Sequence, residues 1–140
     1  LFIVIGQDFR LFSNLNANNP AAPDVKHDYY TNSASNIAIW QRDIAILKNM
    51  GCNTIRLYGW DNSLDHTQFL DVLLENGIRV VLQYWFPSSN DISNSATRTQ
   101  LINGFTSMVN NYKYHPAIIM WLFGAYSSAK KLKSCLLLYS

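Results

Sequence analysis

The chain has 140 residues, is 49% hydrophobic and 14% charged, and carries a formal net charge of +2. That is enough apolar content for one folded domain and too few charges for disorder. Its basic residues are scattered until the last ten positions, so no continuous positive surface is available to a phosphate backbone, and nucleic acid is set aside.

The first residues, "LFIVIGQDF", read as a strand cut into at its start; the run is too short and wrongly flanked for a secretory signal or a membrane span. A loop rich in Asn, Ala and Pro follows, through "NLNANNPAAPD". The stretch "SNIAIWQRDIAILKNMG" then places Ile37, Trp40, Ile44 and Leu47 on one helical face, with Gly51 as the left-handed stop. "CNTIRLYGW" is the second strand. In "SLDHTQFLDVLLENG", Asp65 and Gln68 have capping-box spacing, Phe69, Leu70, Leu73 and Leu74 form the apolar stripe, and Gly77 closes the helix.

"IRVVLQYWF" is the third strand, stopped by Pro87, and "SSNDISNS" is a polar loop with turn and cap chemistry. A third helix carries Leu101, Ile102, Phe105, Met108, Val109 and Tyr112 and ends before His115-Pro116. "AIIMWLFG" is the fourth strand. Short apolar runs alternating with amphipathic helices are the signature of an α/β fold with parallel strands and crossover helices. The strand-to-helix loops are longer than the helix-to-strand turns, which favours a (β/α) barrel; an open doubly wound sheet is the rival, but no glycine-rich turn follows the first strand.

Cys52 and Cys135 lie far apart, and Cys52 opens an apolar strand where a buried thiol packs well, so no disulfide is expected. His27, His66 and His115 share no ligand spacing with cysteine or carboxylate; no metal site and no cofactor are expected. Lys130, Lys131 and Lys133 precede "CLLLYS", an apolar run far too short to span a membrane.

The segment "WQRDIAILKNMGCNTIRLYGWDNSLDHTQFLDVLLENGIRVVL" resembles the first half of the retaining glycoside hydrolases of clan A, closest to the β-1,3-glucanosyltransferase family of fungal cell walls. It matches that family's "W-x-x-D-I-x-x-L-K-x-x-G-x-N-T-I-R-x-Y" and "G-I-x-V-x-L". The resemblance runs from Leu1 to Gly124. It implies the first half of a (β/α)8 TIM barrel, four parallel strands with three crossover helices, from a parent that cleaves or rejoins β-glucan by retaining double displacement and is typically secreted or at the cell surface. Residues 125–140 read as a non-homologous, frayed tail with no fifth strand.

Retaining chemistry needs two carboxyl groups about 5 Å apart, an acid/base and a nucleophile. In the clan the fourth strand ends in Gly-Asn-Glu, the glutamate being the acid/base. Here "WLFG" is followed by Ala125 and Tyr126, and the one glutamate of the chain, Glu75, ends a helix at the far end of the strands. Asp8 and Asp61 could stand on the active face, but loop and turn roles suit them better, and Tyr126 lacks a base to serve it as a nucleophile. No catalytic residue is therefore assigned, and the chain is expected to be inactive.

Strand alternation puts Thr54, Arg56 and Tyr58 on the barrel side and Ile55 and Leu57 under the helices. By resemblance Arg56 holds the nucleophile, and without that partner it is expected to be an unpaired cation unless water reaches it. Aromatic residues crowd the strand ends, and sugar rings stack on such side chains. Arg56, Tyr58, Trp60, Asp61, Asn62 and Trp85 are the candidate cleft for a polysaccharide or oligosaccharide; Trp40 and Trp121 read as packing residues. The alternative to an inert fragment is a non-catalytic carbohydrate-binding or partner-binding remnant, and a half barrel is expected to self-associate through its open sheet edges.

Overall fold

The computed structural model describes residues 4–5, 30–57, 60–86, 90–124 and 136–138. In order these form β1 (Val4–Ile5), α1 (Ala34–Asn49), β2 (Thr54–Leu57), α2 (Thr67–Glu75), β3 (Arg79–Trp85), α3 (Ser95–Tyr112), β4 (Ile118–Gly124) and β5 (Leu136–Leu138). The strands make one sheet in the order β1-β2-β3-β4-β5. β1 to β4 pair in parallel, each with its neighbour in sequence.

That order decides between the two candidate folds. A doubly wound sheet reverses direction partway and carries helices on both faces, whereas crossovers of constant hand that always advance in one direction lay every helix on one face. Ile55, Leu57, Val80, Leu82 and Trp121 of the strands share one cluster with Trp40, Ile44 and Leu47 of α1, Phe69, Leu70 and Leu73 of α2, and Met108 and Tyr112 of α3. The four parallel strands and three crossover helices are those expected of the first half of a barrel.

The helices start and stop for local reasons. Ser33 Oγ accepts from the Asn36 amide at the start of α1, and Asn94 Oδ1 accepts from the amides of Ala96 and Thr97 at the start of α3, as good N-caps do. Gly51 and Gly77 end α1 and α2 at φ values of 74° and 73°, a region costly for any residue with a Cβ. The expected capping box at α2 does not form. Asp65 Oδ1 instead accepts from the amide and hydroxyl of Thr67, at 3.0 and 2.7 Å, so that its carboxylate closes a turn one residue ahead of the helix.

Burial follows the helical stripes with one exception: Leu101, Met108 and Tyr112 are buried, Phe105 and Val109 are partly so, and Ile102 faces solvent. Trp40 is fully buried and its indole N–H donates to Thr31 O; Trp121 is buried under the helices. Cys52 is free and buried, its thiol pushed up in pKa by that burial, while Cys135 lies outside the described residues.

Beyond Gly124 the sheet departs from expectation. β5 pairs antiparallel with β4, Leu138 opposite Trp121, Leu137 opposite Leu122 and Leu136 opposite Phe123. A parallel fifth strand would need a crossover of about a dozen residues or more, usually a helix. The eleven residues between β4 and β5 suit an antiparallel return better. The edge of β4 expected to be open is thus covered over three residues. Among the described residues no helix is long and apolar enough to cross a membrane.

Candidate functional site

In a parallel α/β barrel, ligands meet the C-terminal ends of the strands, and the side chains that reach them alternate with those under the helices. Ile55, Leu57, Val80 and Leu82 lie on the helix side, which leaves Thr54, Arg56, Val81, Gln83 and Trp85 on the inner face by alternation. Arg56 is not an unpaired cation, as had been expected. Its Nε donates to Gln83 Oε1 at 2.9 Å, and its Nη2 donates to the same oxygen. Gln83 Nε2 in turn donates to the carbonyl of Gly124 at 3.0 Å.

The geometry of this relay follows the register. Arg56 stands beside Val81 and Gln83 beside Leu122, yet each side chain bonds two residues further on, to Gln83 and to Gly124. Such diagonal neighbours are within reach of long side chains. The result is a line of polar contacts across the ends of β2, β3 and β4. Gln83 is only 5% exposed, and a buried amide left without partners would cost about 1–3 kcal/mol.

Trp60 is held on the core side. Its ring stacks on His66 at 3.8 Å between centroids, meets Tyr112 edge-on at 5.4 Å and lies 6.1 Å from Tyr30. The Tyr112 hydroxyl donates to Leu64 O at 3.2 Å and accepts from the His66 amide. The same hydroxyl lies 3.1 Å from His66 Nδ1. The Trp60 Nε1 atom is buried and has no partner among the described residues.

Asp61 closes a turn, its carboxylate accepting from the amide and hydroxyl of Ser63 at 2.9 and 2.7 Å. The Ser63 hydroxyl and then its amide hold that carboxyl below the usual carboxylate range. Asn62 Nδ2 donates to Gly104 O of α3 at 3.1 Å, tying the loop after β2 to the helix after β3. Trp85 ends β3, half-buried, opposite Gly124. Tyr58 and Asp8 lie outside the described residues. The structure therefore groups Arg56 and Trp85 on the inner face and separates them from the turn and packing roles of Asp61 and Trp60.

Three residues escaped the sequence reading. Gln83 could have been found as a polar residue interrupting "VVLQYW" on the same strand parity as Arg56. Asp43 stands at the aspartate of the family motif, but nothing local marks it for burial: it is 1% exposed on α1, gripped through Oδ1 by Arg42 Nε at 2.8 Å and Nη2 at 2.7 Å, while Oδ2 is buried with no partner among the described residues. Burial drives its pKa up, and Arg42 offsets this only in part. Gly104 is the third: a Cβ added there would collide with the Tyr84 side chain.

Residues 10–129 match the model of the glucanosyltransferase family, glycoside hydrolase family 72. A 1,3-beta-glucanosyltransferase of Saccharomyces cerevisiae is 38% identical over 69 residues, covering 44% of this chain and 14% of that protein. One from Schizosaccharomyces pombe is 30% identical over 91 residues, 62% of this chain and 18% of that protein. Another, from Aspergillus fumigatus, is 48% identical over 42 residues, 30% of this chain and 9% of its own length. The chain thus spans less than a fifth of the length of these relatives. With the match covering most of its residues, and with half of a (β/α) barrel as its fold, the chain belongs to the glucanosyltransferase family of glycoside hydrolases.

Proposed function

We propose that this chain is the substrate-facing first half of a β-1,3-glucan transglycosylase barrel and that, by itself, it binds β-1,3-glucan without cleaving or transferring it. The observation that carries the reading is the character of the strand ends. They present a guanidinium, an amide and an indole, Arg56, Gln83 and Trp85, while the nearby carboxylate of Asp61 is tied into its own turn. Of these, the Arg56 guanidinium can donate to sugar hydroxyls and the Trp85 indole can stack on the apolar face of a pyranose ring, while the Gln83 amide is already committed to Arg56 and Gly124. They cannot protonate a leaving oxygen or attack an anomeric carbon, which takes an opposed carboxyl pair. A parent enzyme would supply that pair, with its acid/base following the end of β4 and its nucleophile in the half barrel absent from these 140 residues. The three relatives described above are 1,3-beta-glucanosyltransferases, which supports the choice of glucan.

Titration of the purified chain with laminaripentaose, followed by product analysis after long incubation, tests this. Saturable binding that Trp85→Ala weakens about tenfold, with no shorter or longer oligosaccharide formed, is the expected result. Product formation abolished by a single substitution in the chain would overturn the inert reading, and equal affinity for unrelated glycans would overturn the glucan assignment.

A further inference from the structure

The relay from Arg56 through Gln83 to Gly124 has a use beyond packing. A guanidinium on a flexible stem recognises a ligand well only if its plane is fixed beforehand, because each rotor frozen on binding costs free energy. Gln83 fixes that plane. Its one carbonyl oxygen receives both Nε and Nη2 of Arg56, a two-point contact that defines the orientation of the fork. Its own orientation is set in turn, since Nε2 donates to the backbone at the end of β4 and the side chain is 5% exposed.

We infer that Gln83 is a positioning residue: it clasps the Arg56 guanidinium in one pose on the inner face and anchors that pose to the last residue of β4. Its amide is neutral, so the hold rests on hydrogen bonds and not on a carboxylate partner. The consequence for ligand affinity rests on the glycan-binding reading above; the clasp itself does not. Two substitutions divide its halves. Gln83→Glu keeps an acceptor for Arg56 and loses the donor to Gly124. Gln83→Leu loses both, and the near-isosteric Gln83→Met carries the same test if the leucine variant does not fold.

The measurement is the Nε–H cross-peak of Arg56 in the 15N-labelled full chain, assigned by its loss in Arg56→Lys, together with laminaripentaose titration. In the parent chain and in Gln83→Glu the cross-peak should be resolved and slow to exchange with water. In Gln83→Leu or Gln83→Met it should collapse away from its parent position and exchange faster with water, and affinity should fall about tenfold or more. An unchanged Arg56 cross-peak in the leucine or methionine variant overturns the clasp. Collapse of the cross-peak in a chain whose parent binds no laminaripentaose supports the clasp and removes the glycan reading instead.

Discussion

The indole of Trp60 lies over the imidazole of His66, centroids 3.8 Å apart and planes inclined by 26°, with Tyr112 closing its edge. A ring occupied in this way stabilises the fold. Trp60→Ala should lower the unfolding free energy by about 3 kcal/mol, as loss of a packed aromatic residue does. Urea denaturation of the two tryptophan variants side by side separates their roles: Trp85→Ala, at a half-buried strand end, should cost about 1 kcal/mol, well below Trp60→Ala.

Asp43 predicts an unusual acid limb. Its carboxyl has a raised pKa in the folded chain, so between the ordinary value of 3.8 and the folded one the native state holds more protons than the unfolded state. Stability contributed by the protonated group is full below pH 3.8 and is lost as pH rises through the folded pKa. Asp43→Asn should remove that decline. Unfolding free energies measured at intervals from pH 3.5 upward, compared between the two chains, should show about equal slopes only if burial of Asp43 has no such effect.

Gly104 sits within α3, where alanine ordinarily gains about 1 kcal/mol over glycine. Here a Cβ would overlap the Tyr84 hydroxyl and lie 2.7 Å from Cζ of that ring. Overpacking of this kind costs about 1–3 kcal/mol, so the usual sign reverses. Gly104→Ala should destabilise the chain by about 1 kcal/mol, and adding Tyr84→Leu should recover part of the loss in thermal unfolding.

Edge protection gives a fourth expectation. β5 covers the backbone of Trp121, Leu122 and Phe123 on β4, and an uncovered strand edge invites pairing with another chain. A chain ending at Gly124 should therefore sediment as dimers or larger species at concentrations where the full chain remains smaller. Identical sedimentation of the two would assign β5 no protective role and leave self-association to other surfaces.

Much of the architecture was legible in the residues because it depends on short-range rules. Trp40, Ile44 and Leu47 recur at helical spacing, and only one face of α1 can bury them together. Gly51 and Gly77 mark helix ends because left-handed backbone suits glycine, and Asn94 caps because its side chain competes for the first amides. Arg56 could likewise be placed on the inner face by parity alone. Asp65 misled for the same local reason: two turn geometries, one closing on Thr67 and one on Gln68, use the same residue types, and the chain adopts the first.

The strand-helix repeat, the family motif and the absence of a Gly-Asn-Glu at the end of the fourth strand are legible from residue order, because all are properties of neighbours along the chain. Tertiary structure alone decided who partners whom: Arg56 with Gln83 27 residues later, Gln83 with Gly124 41 later, Asn62 with Gly104 42 later. Those distances are set by sheet register and by the side chains that fill the space between elements, and no local periodicity carries them. The assignment of Trp60 to the packed side, Trp85 to the inner face and β5 to the edge of β4 follows from the same cause.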